Sequence, residues 1–84
     1  LNPDCAFTYY NRGIAHSLRA DYDKAILDYD KALDLDPNLA EAYYNRGLAL
    51  IHKKVMDKAI ADLSKAGELG LYKAYSIIKK YTKK

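Results

Sequence analysis

The chain has 84 residues, half of them hydrophobic and 30% charged, which suits one small soluble domain that buries about 60% of its unfolded surface. No apolar run approaches the roughly 20 residues of a membrane span, and a single cysteine, Cys5, excludes an internal disulfide framework and favours a reducing, cytoplasmic setting. The net charge of +3 sits in a tail of five lysines within the last twelve residues, while residues 1–72 carry nine bases against eleven acids, so no nucleic-acid footprint spreads over the domain.

Residues 1–4 precede the first periodic segment. From 6 to 19, apolar residues at 6, 7, 9, 10, 14, 15 and 18 follow the i, i+3, i+4 spacing of an amphipathic helix. Ala20-Asp21-Tyr22 is a short break, with Asp21 placed to cap the next helix. That helix covers 22–35, with Ala25, Ile26, Tyr29, Ala32 and Leu33 on one stripe. Asp36-Pro37-Asn38 ends it, because proline cannot continue the hydrogen-bond ladder and restricts the residue before it. Two further helices follow near 39–53 and 56–68, and a last one over 72–82.

The chain repeats itself. A shift of 34 residues lays Tyr9-Tyr10-Asn11-Arg12-Gly13 on Tyr43-Tyr44-Asn45-Arg46-Gly47, and Asp23-Lys24-Ala25-Ile26 on Asp57-Lys58-Ala59-Ile60. Between residues 1–34 and 35–68, 16 of 34 positions are identical without a gap, which chance does not give. Such a period marks stacked supersecondary units. Gly13 and Gly47 each cost roughly 1 kcal/mol against alanine inside a helix, so a neighbouring helix is expected to approach the backbone there. Ala25 and Ala59 are the expected facing partners, with Ala32 and Ala66 admitting the next unit at a short interaxial distance.

These residues carry a resemblance. Tyr9, Gly13, Ala25, Tyr29, Ala32 and Pro37 in the first unit, and Tyr43, Gly47, Ala59, Leu63 and Ala66 in the second, resemble the tetratricopeptide repeat. Arg12 and His16 depart from the family's frequent leucine and tyrosine. Leu71 replaces the second proline, which implies an irregular junction. The resemblance implies an all-α fold: an α-solenoid of two antiparallel helix hairpins, over 6–37 and 40–70, closed by a capping helix over 72–84. It also implies a protein-interaction module without catalysis or cofactor.

The two ends differ. Leu1-Asn2-Pro3-Asp4 aligns with Leu35-Asp36-Pro37-Asn38 and is expected to be the tail of a preceding repeat, so that the chain is a piece of a longer array. In the last helix Ala74 keeps register, but Tyr81 stands where Gly13 and Gly47 stood, and Lys73, Lys79, Lys80, Lys83 and Lys84 give the wetted face of a terminal cap. Two repeats fall short of the three or more that usually make a continuous core. The isolated fragment is therefore expected to be marginal, or to self-associate through its N-terminal face.

Catalytic and metal chemistry find no support. Gly13, Gly47, Gly67 and Gly70 lack phosphate-loop spacing. His16, His52 and Cys5 share no ligand spacing; His16 reads as partly buried helix packing and Cys5 as a partly buried small hydrophobe. Asp28, Asp30, Asp34 and Asp36 read as a solvated helix face. Arg12, Arg46 and nine tyrosines could stack bases, but Tyr9, Tyr29 and Tyr43 are needed for packing. No nucleic-acid or membrane partner is expected.

The resemblance places a partner on the concave wall made by the first helix of each unit. The groove residues are then Phe7, Tyr10, Asn11, Ile14 and Ser17, followed by Glu41, Tyr44, Asn45, Leu48 and Ile51, and by Tyr75, Ile78 and Lys79. A family subset that clamps chaperone C-terminal carboxylates needs Lys and Asn positions matched here by Tyr10, Ile14, Asn45, Tyr75 and Lys79. Only Asn45 fits, with Lys79 a loose substitute. The expected ligand is a protein or peptide, as an amphipathic helix or an extended apolar segment. The alternative is a structural element that positions a neighbouring domain or forms a homo-oligomer.

Overall fold

Small residues set where the helices meet, and a computed structural model describes the outcome for residues 3–82, with side chains from Cys5 onward. Five helices follow one another: α1 (Pro3–Leu18), α2 (Tyr22–Leu35), α3 (Ala40–His52), α4 (Met56–Glu68) and α5 (Lys73–Thr82). Helices α1 and α2 form one antiparallel hairpin and α3 and α4 the next, with α2 packed on α3 and α4 on α5. This is the all-α, solenoid-like arrangement that the resemblance implied. Among the described residues no helix is long and apolar enough to cross a membrane.

The element boundaries differ from expectation at the start. Pro3 and Asp4 belong to α1, whereas their counterparts Pro37 and Asn38 lie in a turn. Proline is well suited to a first helical position, where its missing N–H has no partner to lose. Ahead of Pro37, Asp36 is held extended at φ −141 and ψ 90, the region that a following proline enforces. The Leu39 N–H then donates to the Asp36 carbonyl at 3.2 Å and the Asn38 N–H to Asp36 Oδ1 at 3.1 Å. Leu1 and Asn2, expected as part of a preceding repeat's tail, lie outside the described residues.

Helices α1, α3 and α4 end alike. The Asp21 N–H reaches back to the His16 carbonyl and Ala20 to Ser17, Val55 to Leu50 and Lys54 to Ile51, Leu71 to Ala66 and Gly70 to Gly67. Each pair is a Schellman closure, which needs one residue in the left-handed region. Gly70 meets that need at φ 106, but Ala20 and Lys54 occupy φ 59 and 66 despite their Cβ atoms, at a cost of about 1 kcal/mol each. Asp21, the expected N-cap of α2, makes no capping hydrogen bond. Its ψ of 71 falls short of the extended backbone that aims a cap side chain at the helix, and its carboxylate sits 3.6 Å from Lys24 Nζ instead.

Within each hairpin the glycines mark the contact. A Cβ on Gly13 would lie 2.6 Å from Tyr29 Cε1, and one on Gly47 would lie 2.9 Å from Leu63 Cγ. Ala25 and Ala59 are fully buried; the Ala59 carbonyl lies 3.2 Å from that second position as expected, and the side chain one turn later, Tyr29 or Leu63, comes nearest to each glycine. The core forms two groups, one around Ala6, Ala32, Leu33, Leu39 and Ala42, the other around Leu63, Ala66 and Ala74, and Tyr43 packs against both. At the last junction Gly67 lets the Tyr75 ring lie on the α4 backbone.

Asp28 and Asp62 are not part of a solvated face. Both are buried, and each accepts two hydrogen bonds from the arginine 16 residues earlier: Arg12 Nε and Nη2 to Asp28 at 2.9 and 2.8 Å, Arg46 Nε and Nη2 to Asp62 at 2.8 Å each. Arg46 Nη1 also donates to Asp30 of the preceding hairpin at 2.8 Å. The Arg12 hydrogen bonds hold the Asp28 carboxyl below its usual range, against the opposing effect of burial. Hydrogen bonds donated to Asp62 likewise raise the Arg46 pKa, against the opposing effect of burial. Of the four acids once read as a face, Asp34 is exposed as expected.

Four outcomes follow from this packing. Gly13→Ala should destabilise by about 1–3 kcal/mol through overpacking on Tyr29, although alanine is the better helix former; denaturant melts check it. Ala20→Gly and Lys54→Gly should each stabilise by about 0.5–1 kcal/mol by relieving the left-handed strain. Arg46→Leu should cost about 3 kcal/mol by stranding the Asp62 charge, with most of the loss recovered in Arg46→Leu/Asp62→Ala. Because the Asp28 pKa is depressed in the folded state, its contribution is complete above the unfolded value near ~3.9 and fades as pH falls through the folded one. Acid titration of Asp28→Asn should therefore show a shallower stability loss below about pH 4.

Candidate functional site

The first helices of the hairpins share one side of the molecule. Phe7, Tyr10, Asn11 and Ile14 on α1 stand at i, i+3, i+4 and i+7, as do Glu41, Tyr44, Asn45 and Leu48 on α3, and this spacing aligns them along one face of each helix. The Asn45 amide joins the two rows: Nδ2 donates to the Tyr10 hydroxyl at 3.0 Å and to the Glu41 carbonyl at 2.9 Å. The Phe7 ring meets Tyr10 edge-on with centroids 6.4 Å apart, and Tyr10 leans on Tyr29 at 6.0 Å. Burial, followed by the nearby Glu41 charge, pushes the Tyr10 hydroxyl pKa up, so it stays a neutral hydrogen-bonding group.

Helix α5 extends this side unevenly. Lys73 places its ammonium 4.7 Å from the Tyr44 ring centroid, a cation–π contact. Tyr44, Ile51 and Ile78 pack against the second core group. Tyr75 is half exposed, but its ring rests against Gly67 of α4, so part of its surface is used in packing. Asn11, Glu41 and Lys79 are exposed, while Ile14, Leu48 and Asn45 are half-buried. Ser17 shares a hydrogen bond with the Tyr29 hydroxyl at 3.1 Å, which ties it to the hairpin core.

Other singled-out residues have packing roles. His16 Nε2 lies 3.5 Å from Asp28 Oδ2, and the His52 ring stacks on Tyr22 at 4.5 Å and 4°; the two histidines belong to different hairpins. Among the described residues no three His, Cys, Asp or Glu side chains gather as metal ligands. Cys5, expected to be partly buried, is exposed. Its counterpart Leu39 is buried among α2 and α3 residues, and the described chain places no such helix over Cys5. Sequence reasoning missed the ionic links Arg12–Asp28, Arg46–Asp62, Arg46–Asp30 and Lys53–Asp23, the last 2.6 Å long. The signal was present, since Arg and Asp recur in both units with the same 16-residue separation.

Two family models match this architecture. One described as a TPR repeat covers residues 19–53, and one described as a tetratricopeptide repeat covers residues 40–69. Together they span residues 19–69, which is 51 of the 84 residues. Among curated proteins none matches the chain. Repeats of this kind generally mediate protein–protein interaction and are not catalytic modules. With the 34-residue period, the paired helices and the glycine contacts in place, the chain belongs to the tetratricopeptide repeat family.

Proposed function

We propose that the side formed by α1, α3 and α5 binds a peptide or a partner helix, with Phe7, Tyr10, Asn11, Ile14, Glu41, Tyr44, Asn45, Leu48, Tyr75 and Lys79 as its contact residues. The observation that supports this most is the Asn45–Tyr10 hydrogen bond across two hairpins. It holds one aromatic row in a set position against the next, which lowers the ordering cost of binding. Phe7 and Tyr10 offer apolar area with a polar tip, the composition of binding hot spots. The Asn45 amide protons are engaged within the chain, so this residue orients the surface and leaves a carbonyl oxygen for a ligand. Lys73 and Lys79 favour a ligand with acidic residues toward α5, and Phe7 with Ile14 favours apolar residues toward α1.

The test is a titration of the chain with a panel of amphipathic helical peptides, followed by NMR. Phe7→Ala and Asn11→Ala alter exposed side chains, and each should weaken a bound peptide by about tenfold without loss of helicity. Asn45→Ala is a poorer choice, because it also releases Tyr10. Shift changes confined to α2 and α4 would count against the assignment.

A further inference from the structure

Charge is spread unevenly over the side formed by α1, α3 and α5. Phe7, Tyr10, Asn11, Ile14 and Ser17 make the α1 row neutral, and α5 brings the ammoniums of Lys73 and Lys79. Between them Glu41 is the one acid of the α3 row. It is exposed, and its carboxylate forms no ion pair among the described residues. An acid in the first turn of a helix suits the macrodipole, but α1 and α5 carry Phe7 and Tyr75 at the same register. The repeat itself therefore requires no charge there.

The groups beside Glu41 are acceptors and rings. Asn45 Nδ2 donates to the Glu41 carbonyl at 2.9 Å and to the Tyr10 hydroxyl at 3.0 Å. A carbonyl can only accept, so the amide orientation is fixed and both Asn45 protons are spent inside the chain. Its Oδ1 has no hydrogen bond among the described residues and is not buried, which leaves a free acceptor near the carboxylate. The same amide ties Glu41 to Tyr10, whose ring is held between Phe7 and Tyr29. After burial, the Glu41 charge is the next cause that pushes the Tyr10 hydroxyl pKa up, so the two groups face each other closely. Tyr44 stands one turn further along α3, and there Lys73 already sets its ammonium 4.7 Å from the ring centroid without pairing with Glu41. A carboxylate, an amide oxygen and tyrosine faces together make a receiver for a cation with several N–H donors.

We infer that Glu41, Asn45 Oδ1 and the Tyr10 ring form a seat for a basic side chain, arginine or lysine, of the peptide bound on this side. The inference rests on the peptide-binding reading and adds a charge order to it. Apolar residues of the ligand lie toward α1, a cation at Glu41, and acids toward Lys73 and Lys79. The seat is built from both hairpins, since Tyr10 stands on α1 and Glu41 and Asn45 on α3. Charges of alternating sign in that order set the register and direction of the ligand.

The probe for the full 84-residue chain is a fluorescein-labelled, leucine-rich helical peptide with an acidic end and a single arginine. The arginine is moved one position at a time, and each peptide has a citrulline twin that keeps the shape and loses the charge. At the position that meets Glu41, the arginine peptide should bind about five- to tenfold more tightly than its twin. Glu41→Gln in the chain should erase that preference, whereas Asp34→Asn, which removes an exposed acid from α2, should keep it. Twins of equal affinity at every position, with NMR shifts in α1 and α3, would overturn the inference and leave the groove reading standing. No saturable binding, or shifts confined to α2 and α4, would overturn both. A preference that survives Glu41→Gln would also overturn the inference. Shifts at Glu41 that grow with the concentration of the chain alone would overturn it in favour of a second copy as the occupant.

Discussion

Within each hairpin the second helix lays a side chain directly on the backbone of the first where the first has no side chain. The Tyr29 ring and the Leu63 branch occupy space that any Cβ at Gly13 or Gly47 would claim. This single steric condition aligns the helices, and the rest follows from the alignment. Ala25 and Ala59 become fully enclosed, Asp28 and Asp62 come within reach of arginine, and Tyr10 and Tyr44 stand on the opposite side. The helix-propensity cost of glycine is roughly 1 kcal/mol, small beside the burial of a whole tyrosine, which is worth about 2–3 kcal/mol in apolar area alone.

Charge takes over where the resemblance would place an apolar residue. Arg12 and Arg46 occupy a position at which the family often has leucine, and each meets a buried aspartate with two parallel hydrogen bonds. A partly buried ion pair of this kind seldom adds much net stability, but it penalises any arrangement that leaves the buried carboxylate alone. Arg46 goes further by engaging the preceding hairpin through Asp30. One guanidinium thereby orients three helices, and its planar fork suits that task better than an ammonium would.

Much of the fold was legible because periodicity and small-residue spacing act locally. Helices at 22–35 and 56–68 are read directly from the apolar stripe and the breakers around it. What escaped was the destination of polar side chains. Asp28 and Asp34 were read as one face, yet Asp28 falls three residues after Ala25 and four before Ala32, beside the buried stripe, while Asp34 lies about a third of a turn away and is exposed. The expectation for the groove named residues that do share a side, including Tyr10 and Asn45, but their mutual hydrogen bond depends on the tilt between hairpins, which no spacing encodes. The same limit applies to the side chain nearest each glycine. It comes four residues after the expected alanine, one turn further along the same stripe.

Tyr43 belongs to both core groups, and Arg46, one turn later, bonds to acids of both hairpins. Loss of either hairpin therefore strips contacts from the other at the same moment. Stability in such chains is a sum of unit and interface contributions, and here the interface includes two residues that also serve the interior of a unit. The half-folded species, with one hairpin intact and its neighbour frayed, is raised in energy by that sharing, and the melting of the two units is drawn into one cooperative step.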